Sequence, residues 1–142
     1  MEKKFINPEG LVKPGVYTPA ISVSGGKTIY VSGQVSQDAA GKLVGKGDLL
    51  AQTEQVYKNL GIALAGAGAT FADVVKLNVY AVGFQPEHRA LLQSVREKYV
   101  SKDKPPASTL IGVQALARSD FLVEIEAVAS SIFSFINGLI VI

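Results

Sequence analysis

Lys104-Pro105-Pro106-Ala107-Ser108-Thr109-Leu110-Ile111-Gly112-Val113-Gln114, followed by Phe121-Leu122-Val123-Glu124-Ile125-Glu126-Ala127-Val128-Ala129, is the stretch on which the fold turns. A proline ring locks φ, and the residue before it is pushed to extended backbone. Pro105 and Pro106 therefore stop any preceding helix, and the pattern predicts a loop feeding a strand, a short connection and a second strand. In that second strand Glu124 and Glu126 share one face, while Val123, Ile125, Ala127 and Ala129 make the other. Two carboxylates on one face of an otherwise apolar strand need water, a partner or a job.

Upstream, Val75, Leu77, Val79 and Ala81 alternate with Lys76, Asn78 and Tyr80, the period of a half-buried strand. A helix follows from Gln85-Pro86-Glu87. Its inward stripe is read as Leu91, Leu92, Val95 and Tyr99, with Arg89, Arg96, Glu97 and Lys98 solvated. Before the strand, Asp48 is a candidate N-cap for a longer helix carrying Leu49, Thr53, Val56, Leu60 and Leu64 at helical spacing, ended by Gly66 and Gly68. Thr28-Ile29-Tyr30-Val31-Ser32-Gly33-Gln34 reads as a strand. Gly25-Gly26 reads as a hairpin turn joining it to a proline-interrupted strand over residues 16–23. Residues 1–14 read as an irregular lead-in, and 36–47 as a loop with a short strand at Leu43-Val44.

The resulting order is strand, strand, helix, strand, helix, strand, strand. Each helix has one apolar stripe to bury, so the expected architecture is α+β: a single mixed sheet with two helices packed on one face. The opposite face carries Tyr, Asn, Ser, Gln, Glu and small apolar side chains, too apolar for water alone and too polar for a monomer core. Association through that face, in closed cyclic symmetry, is the expectation.

The 142 residues fit one domain, read as residues 1–130 with an apolar extension over 131–142. That extension is uncharged and too short to span a bilayer. It reads as a terminal strand or segment tucked against a partner subunit, or as an added appendage, with a membrane-touching tail as the minority reading. With 48% hydrophobic and 18% charged residues the chain is globular. A formal charge of +2 with no basic run beyond Lys3-Lys4 argues against a nucleic-acid surface. The first residues lack an apolar leader region, so a cytoplasmic location is expected, with no membrane partner.

The chain has no cysteine and one histidine, His88, near a helix start. No metal site and no cofactor are expected from that set. A Ser-His-Asp arrangement would have to use His88, and no Gly-x-Ser-x-Gly elbow occurs. Ala65-Gly66-Ala67-Gly68-Ala69 follows a helix and lacks a Walker lysine, so it reads as a helix terminator and not as a phosphate loop. The glutamate pair has two readings. In one, at least one carboxylate is simply solvated or paired at a subunit contact. In the other, Glu124 orients water or a polar substrate in a cleft, where a partly desolvated carboxylate can trade protons.

From about residue 5 to 130 the sequence resembles the YjgF/RidA family of reactive intermediate deaminases, also called endoribonuclease L-PSP. The resemblance is carried by Gly15-Val16-Tyr17-Thr18-Pro19-Ala20-Ile21, Ile29-Tyr30-Val31-Ser32-Gly33-Gln34, Gln52-Thr53-Glu54-Gln55 through Asn59-Leu60, Ala65-Gly66-Ala67 with Asp73-Val74-Val75-Lys76, Lys-Pro-Pro-Ala-Ser, and Leu-Val-Glu-Ile-Glu-Ala-Val-Ala. It implies a homotrimer of chorismate-mutase-like fold with ligand clefts between subunits. It also implies hydrolysis of imine or enamine acids to 2-oxo acids and ammonia. Site positions carried over are Tyr17, Gly33, Gln93 where an asparagine is common, and Glu124 as the catalytic candidate.

In deaminating members of that family an arginine directly after Pro-Ala grips the substrate carboxylate. Here that position is Ser108. A neutral hydroxyl replaces a planar, permanently charged fork. Losing such a contact removes about 2–3 kcal/mol of binding, on the order of a hundredfold. The expectation is a small-metabolite cleft lined by Tyr17, Gly33, Gln93, Ser108 and Glu124, with weak activity on 2-iminopropionate or 2-iminobutyrate, raised by Ser108→Arg. Arg118, between the last two strands, is the candidate substitute cation, against a plain solvated loop arginine. A non-catalytic binding or interaction module is the alternative, favoured by the absence of a strong nucleophile, base or metal set. RNA cleavage, suggested only by the alternative family label, fits poorly with the near-neutral charge and lone histidine.

Overall fold

The computed structural model describes residues 1–132, 134–136 and 139–141. Helix α1 spans Leu49–Gly66 and begins at the expected cap: Asp48 is extended and its carboxylate accepts the Ala51 amide at 3.0 Å. It ends because Gly68 takes a left-handed turn (φ 76°), which lets the Ala69 amide reach the Leu64 carbonyl at 2.9 Å. Val56, Tyr57, Leu60 and Leu64 form its buried stripe. Helix α2 spans His88–Arg96 and lacks a side-chain cap of that kind. Instead His88 Nδ1 accepts the Gln85 amide at 3.0 Å, and its ring lies edge-on to Phe84.

The main sheet contains β3 (Lys27–Val35), β4 (Val74–Val82), β5 (Ala107–Val113) and β6 (Val123–Ser131), in the order β3-β6-β4-β5. Strand β5 runs parallel to β4, and α2 is the crossover between them; the other pairings are antiparallel. Leu77, Val79, Ala81, Val123, Ile125, Ala127 and Ala129 point to the face covered by Val56, Leu60, Leu64, Leu92 and Val95. Each fully buried aliphatic side chain there contributes roughly 1.5–3 kcal/mol. The expected α+β arrangement, one mixed sheet with both helices on one face, is the arrangement found.

The N-terminal third departs from the sequence reading. Residues 2–6 are not irregular: β1 (Glu2–Ile6) pairs antiparallel with β2 (Ala20–Ser24), Phe5 opposite Ile21, as a separate two-stranded sheet. Gly25 and Gly26 do turn, with φ 70° and 82°, but they do not close a β2–β3 hairpin. They redirect the chain from the small sheet into β3. Val16–Thr18 is loop and not strand, since the strand starts only beyond Pro19. The short strand expected at Leu43-Val44 reduces to one bridge, Gln37 with Leu43.

Beyond β6, β7 (Ser134–Ile136) and β8 (Leu139–Val141) pair antiparallel with each other. Phe133, Asn137, Gly138 and Ile142 lie outside the described residues, and with them the question of what the apolar extension packs against. Among the described residues no helix is long and apolar enough to cross a membrane.

Candidate functional site

Tyr17, Gln93 and Ser108 open onto one cleft of about 330 Å³ between α2, the edge strand β5 and the loop before β2. Register decides which β5 residues face it. Ser108 lies opposite Leu77 and Leu110 opposite Val79, and since both β4 partners point toward the helices, Ser108 and Leu110 do too. The loop is pinned by Thr18, whose hydroxyl donates to the Pro105 carbonyl at 2.5 Å and whose amide reaches the Pro106 carbonyl at 3.3 Å. The two prolines thus do more than open β5: their carbonyls, left free of any ladder, hold the Val16-Tyr17 segment against it.

The residue missed by the sequence reading is Arg96. Grouped there with the solvated charges of α2, it is only 9% exposed. Its Nη1 donates to Ser108 Oγ at 2.9 Å and its Nη2 to the Val16 carbonyl at 2.9 Å. Burial depresses its pKa, and the nearby Tyr57 partly offsets this. Arg96 stands four residues after Leu92 and directly after Val95, both buried, so it sits on the flank of the apolar stripe. That spacing was the available signal. Its place in the last turn of α2 also suits a cation, because the helix C-terminus carries partial negative charge.

Arg89, also read as solvated, is exposed yet lines the same cleft. With Leu92, Gln93 and Arg96 it forms an i, i+3, i+4, i+7 row on α2. Gln93 borders the cleft while its amide donates to Glu97 Oε1 at 3.3 Å. Glu97 is held below the ordinary carboxylate range, first by that hydrogen bond and then by Lys102, 3.3 Å away. Val16, Val79, Phe84, Leu92, Leu110 and Ile125 supply the apolar wall, and among the described residues no acidic side chain lines the cavity.

Glu124 and Gly33 are not part of this cleft. Glu124 pairs with Tyr80 and Glu126 with Asn78, which places both carboxylates on the opposite face of the sheet. There Gly33 sits in a bulge of β3 against Glu124: a Cβ on Gly33 would lie 1.9 Å from Glu124 Oε1. Glu126 Oε1 accepts both Asn78 Nδ2 and the Tyr80 hydroxyl, at 2.8 Å each. That bond, ahead of burial, raises the Tyr80 pKa. Arg118 does not reach the cleft either. Its guanidinium lies 4.8 Å over the Phe121 ring and donates to the Gly41 carbonyl at 3.1 Å. Among the described residues no cluster of three or more His, Cys, Asp or Glu could hold a metal.

The sequence profile of the Endoribonuclease L-PSP family matches residues 11–131. The chain is 37% identical over 130 residues to a RutC family protein of Pyrococcus abyssi, covering 91% of this chain and 98% of that one. It is 37% identical over 118 residues to a 2-iminobutanoate/2-iminopropanoate deaminase of Mus musculus, covering 81% of each. Among solved structures it resembles the Rid-family protein YyfB of Yersinia pestis, itself of unknown function, with a TM-score of 0.84, 41% identity, and coverage of 92% of this chain and 100% of that one.

Proposed function

The chain belongs to the YjgF/RidA (endoribonuclease L-PSP) family, and we propose that its cleft binds a small carboxylate-bearing metabolite, with Arg96 supplying the cation that Ser108 does not. The observation that carries this is the buried Arg96 guanidinium, aimed at Ser108 Oγ and without a carboxylate partner among the described residues. The Ser108 hydroxyl and the Val16 carbonyl satisfy two of its donors and offset most of the burial cost, but both are neutral, so the positive charge itself is left for an anionic ligand. The family position after Pro-Ala is neutral here, but a cation has moved to the neighbouring helix and reaches the same spot from the other side.

The reaction this cleft serves is hydrolysis of an imine or enamine acid. Water adds to the C=N carbon of the imine form as the C=N π bond opens, giving a carbinolamine with one water proton on nitrogen. The hydroxyl proton then passes to nitrogen, the C–N bond breaks as the carbonyl forms, and ammonia leaves a 2-oxo acid. Tyr17, Gln93 and Ser108 orient the substrate around the Arg96 contact, and the apolar wall takes its side chain. Glu124 is the water-orienting carboxylate, and because it lies on the other sheet face with Gly33, it comes to the cleft from a second protomer. A homotrimer supplies that juxtaposition. The exposed outer sheet face, with Tyr30 82% and Ile111 46% exposed, is the surface such an assembly would cover. On this reading residues 1–130 are the metabolite-binding domain and 131–142 an apolar appendage.

A second reading, a non-catalytic binding module, is favoured by the same separation of Glu124 from Ser108 within one protomer. Ammonia release from 2-iminopropanoate, 2-iminobutanoate and bulkier imino acids, generated in situ, decides between them. Acceleration that is lost in Glu124→Gln supports the hydrolase. Binding of 2-oxo acids with no acceleration for any imine favours the module. A protein that stays monomeric at all concentrations overturns the shared-cleft arrangement.

A further inference from the structure

We infer that the cleft accepts a dianion, a small dicarboxylate with one end at Arg96 and the other at Arg89; this rests on the carboxylate-binding reading above and specifies its substrate class. The two arginines line one cavity that, among the described residues, contains no acidic side chain. Seven residues apart on α2, their Cα atoms are separated by about 10.5 Å along the helix axis. Arg96 is buried and Arg89 is exposed. Leu92, Phe84, Val79 and Leu110 make much of the remaining wall, with Gln93 on the same helix row.

The lysines nearby behave differently. Lys98 pairs with Glu54 and Lys102 with Glu97, so the charges just beyond α2 are neutralised by partners of this chain. Among the described residues neither cleft arginine forms an ion pair. A cavity with two like charges about two helical turns apart and a largely apolar wall matches a molecule with an anionic group at each end and a hydrocarbon spacer. A monocarboxylate uses only the inner arginine and leaves the outer one to solvent.

The test is titration calorimetry at fixed ionic strength with glutarate, adipate and suberate against butyrate and hexanoate, on the wild-type protein and Arg89→Gln. At least one dicarboxylate is expected to bind about twofold to fivefold tighter than the monocarboxylates, the scale of one exposed charge contact. Arg89→Gln is expected to bring that dicarboxylate down to monocarboxylate affinity. Because Arg89 is exposed, the variant folds, and circular dichroism checks this. If mono- and dicarboxylates bind alike, or if Arg89→Gln leaves the gap intact, the dianion inference is overturned while the carboxylate cleft stands. If neither class binds the folded wild-type protein, the carboxylate reading itself falls and this inference with it.

Discussion

Replacing Arg96 by methionine separates a ligand-binding cation from a structural clamp. The guanidinium makes two hydrogen bonds, to Ser108 Oγ and the Val16 carbonyl, each 2.9 Å. Hydrogen bonds to a charged group are worth about 1.5–3 kcal/mol each, but burying an unpaired guanidinium costs several kcal/mol. In the native protein these nearly cancel. Methionine releases the desolvation cost and keeps most of the side-chain packing. Ser108 and Val16 both border the cavity, so water replaces the lost donors. The expected change in stability is therefore within about 1 kcal/mol, a shift of roughly 3–5 °C in Tm for a chain of this size. Ligand affinity has no such compensation. A charge-assisted contact to a carboxylate is lost outright, weakening 2-oxo acid binding by roughly 2–3 kcal/mol, on the order of 30- to 150-fold. Thermal unfolding and calorimetric titration with a 2-oxo acid read the two quantities independently. A stability loss above about 3 kcal/mol with binding retained would mean that Arg96 only ties α2 to the loop and β5. Full stability with undiminished binding would remove it as the anchor.

Ser108→Arg, which the sequence alone marks as an activating change, acquires a different expectation from the structure. The new guanidinium meets Arg96, now 2.9 Å from Ser108 Oγ, so the single variant is expected to lose about 1–2 kcal/mol of stability without a gain in ammonia release. Combined with Arg96→Gln it is expected to recover binding; a gain in the single variant alone would contradict the crowding argument. Gly33→Ala forces the Glu124 carboxylate aside, since the added Cβ would lie 1.9 Å from Oε1. Cδ and Cγ would also lie at 2.8 and 2.9 Å, so the whole Glu124 side chain must turn at χ1, and a cost of roughly 1 kcal/mol or more in denaturant unfolding is expected, with loss of any Glu124-dependent turnover. Unaltered turnover with Glu124 visibly displaced in a crystal structure would count against its role. Tyr57, 2% exposed, has its pKa pushed up to about 12 by burial, partly countered by Arg96. The unfolded value is about 10, so the folded state holds this proton to higher pH. The associated stability is complete below about pH 10 and drains away as pH climbs toward about 12. Tyr57→Phe should reduce that slope, with Tyr80 left as the other raised tyrosine, and a 295 nm titration should show two of the five tyrosines ionising late, one of them missing in Tyr57→Phe.

The sequence determined what short-range chemistry determines. Asp48 capped α1 and the Gly66–Gly68 run ended it, because capping and left-handed glycine are local properties. Strict alternation marked β4 and β6, and Pro105-Pro106 marked the entry to β5. Those signals, with the family resemblance, were enough for the architecture and for Tyr17, Gln93 and Ser108 as neighbours. Tertiary structure decided the rest. Whether Glu124 shares a face with Ser108 depends on the registers of β5 and β6 against β4, and a one-residue slip in either would reverse the answer. The β1–β2 pairing depends on contacts between residues 2–6 and 20–24, which no local pattern encodes. Arg96 looked like surface because its charge outweighs its position in any periodicity count. Only when α2 crosses over β4 and β5, with Thr18 fastening the loop beside it, do a serine hydroxyl and a carbonyl converge on that guanidinium and make its burial tolerable.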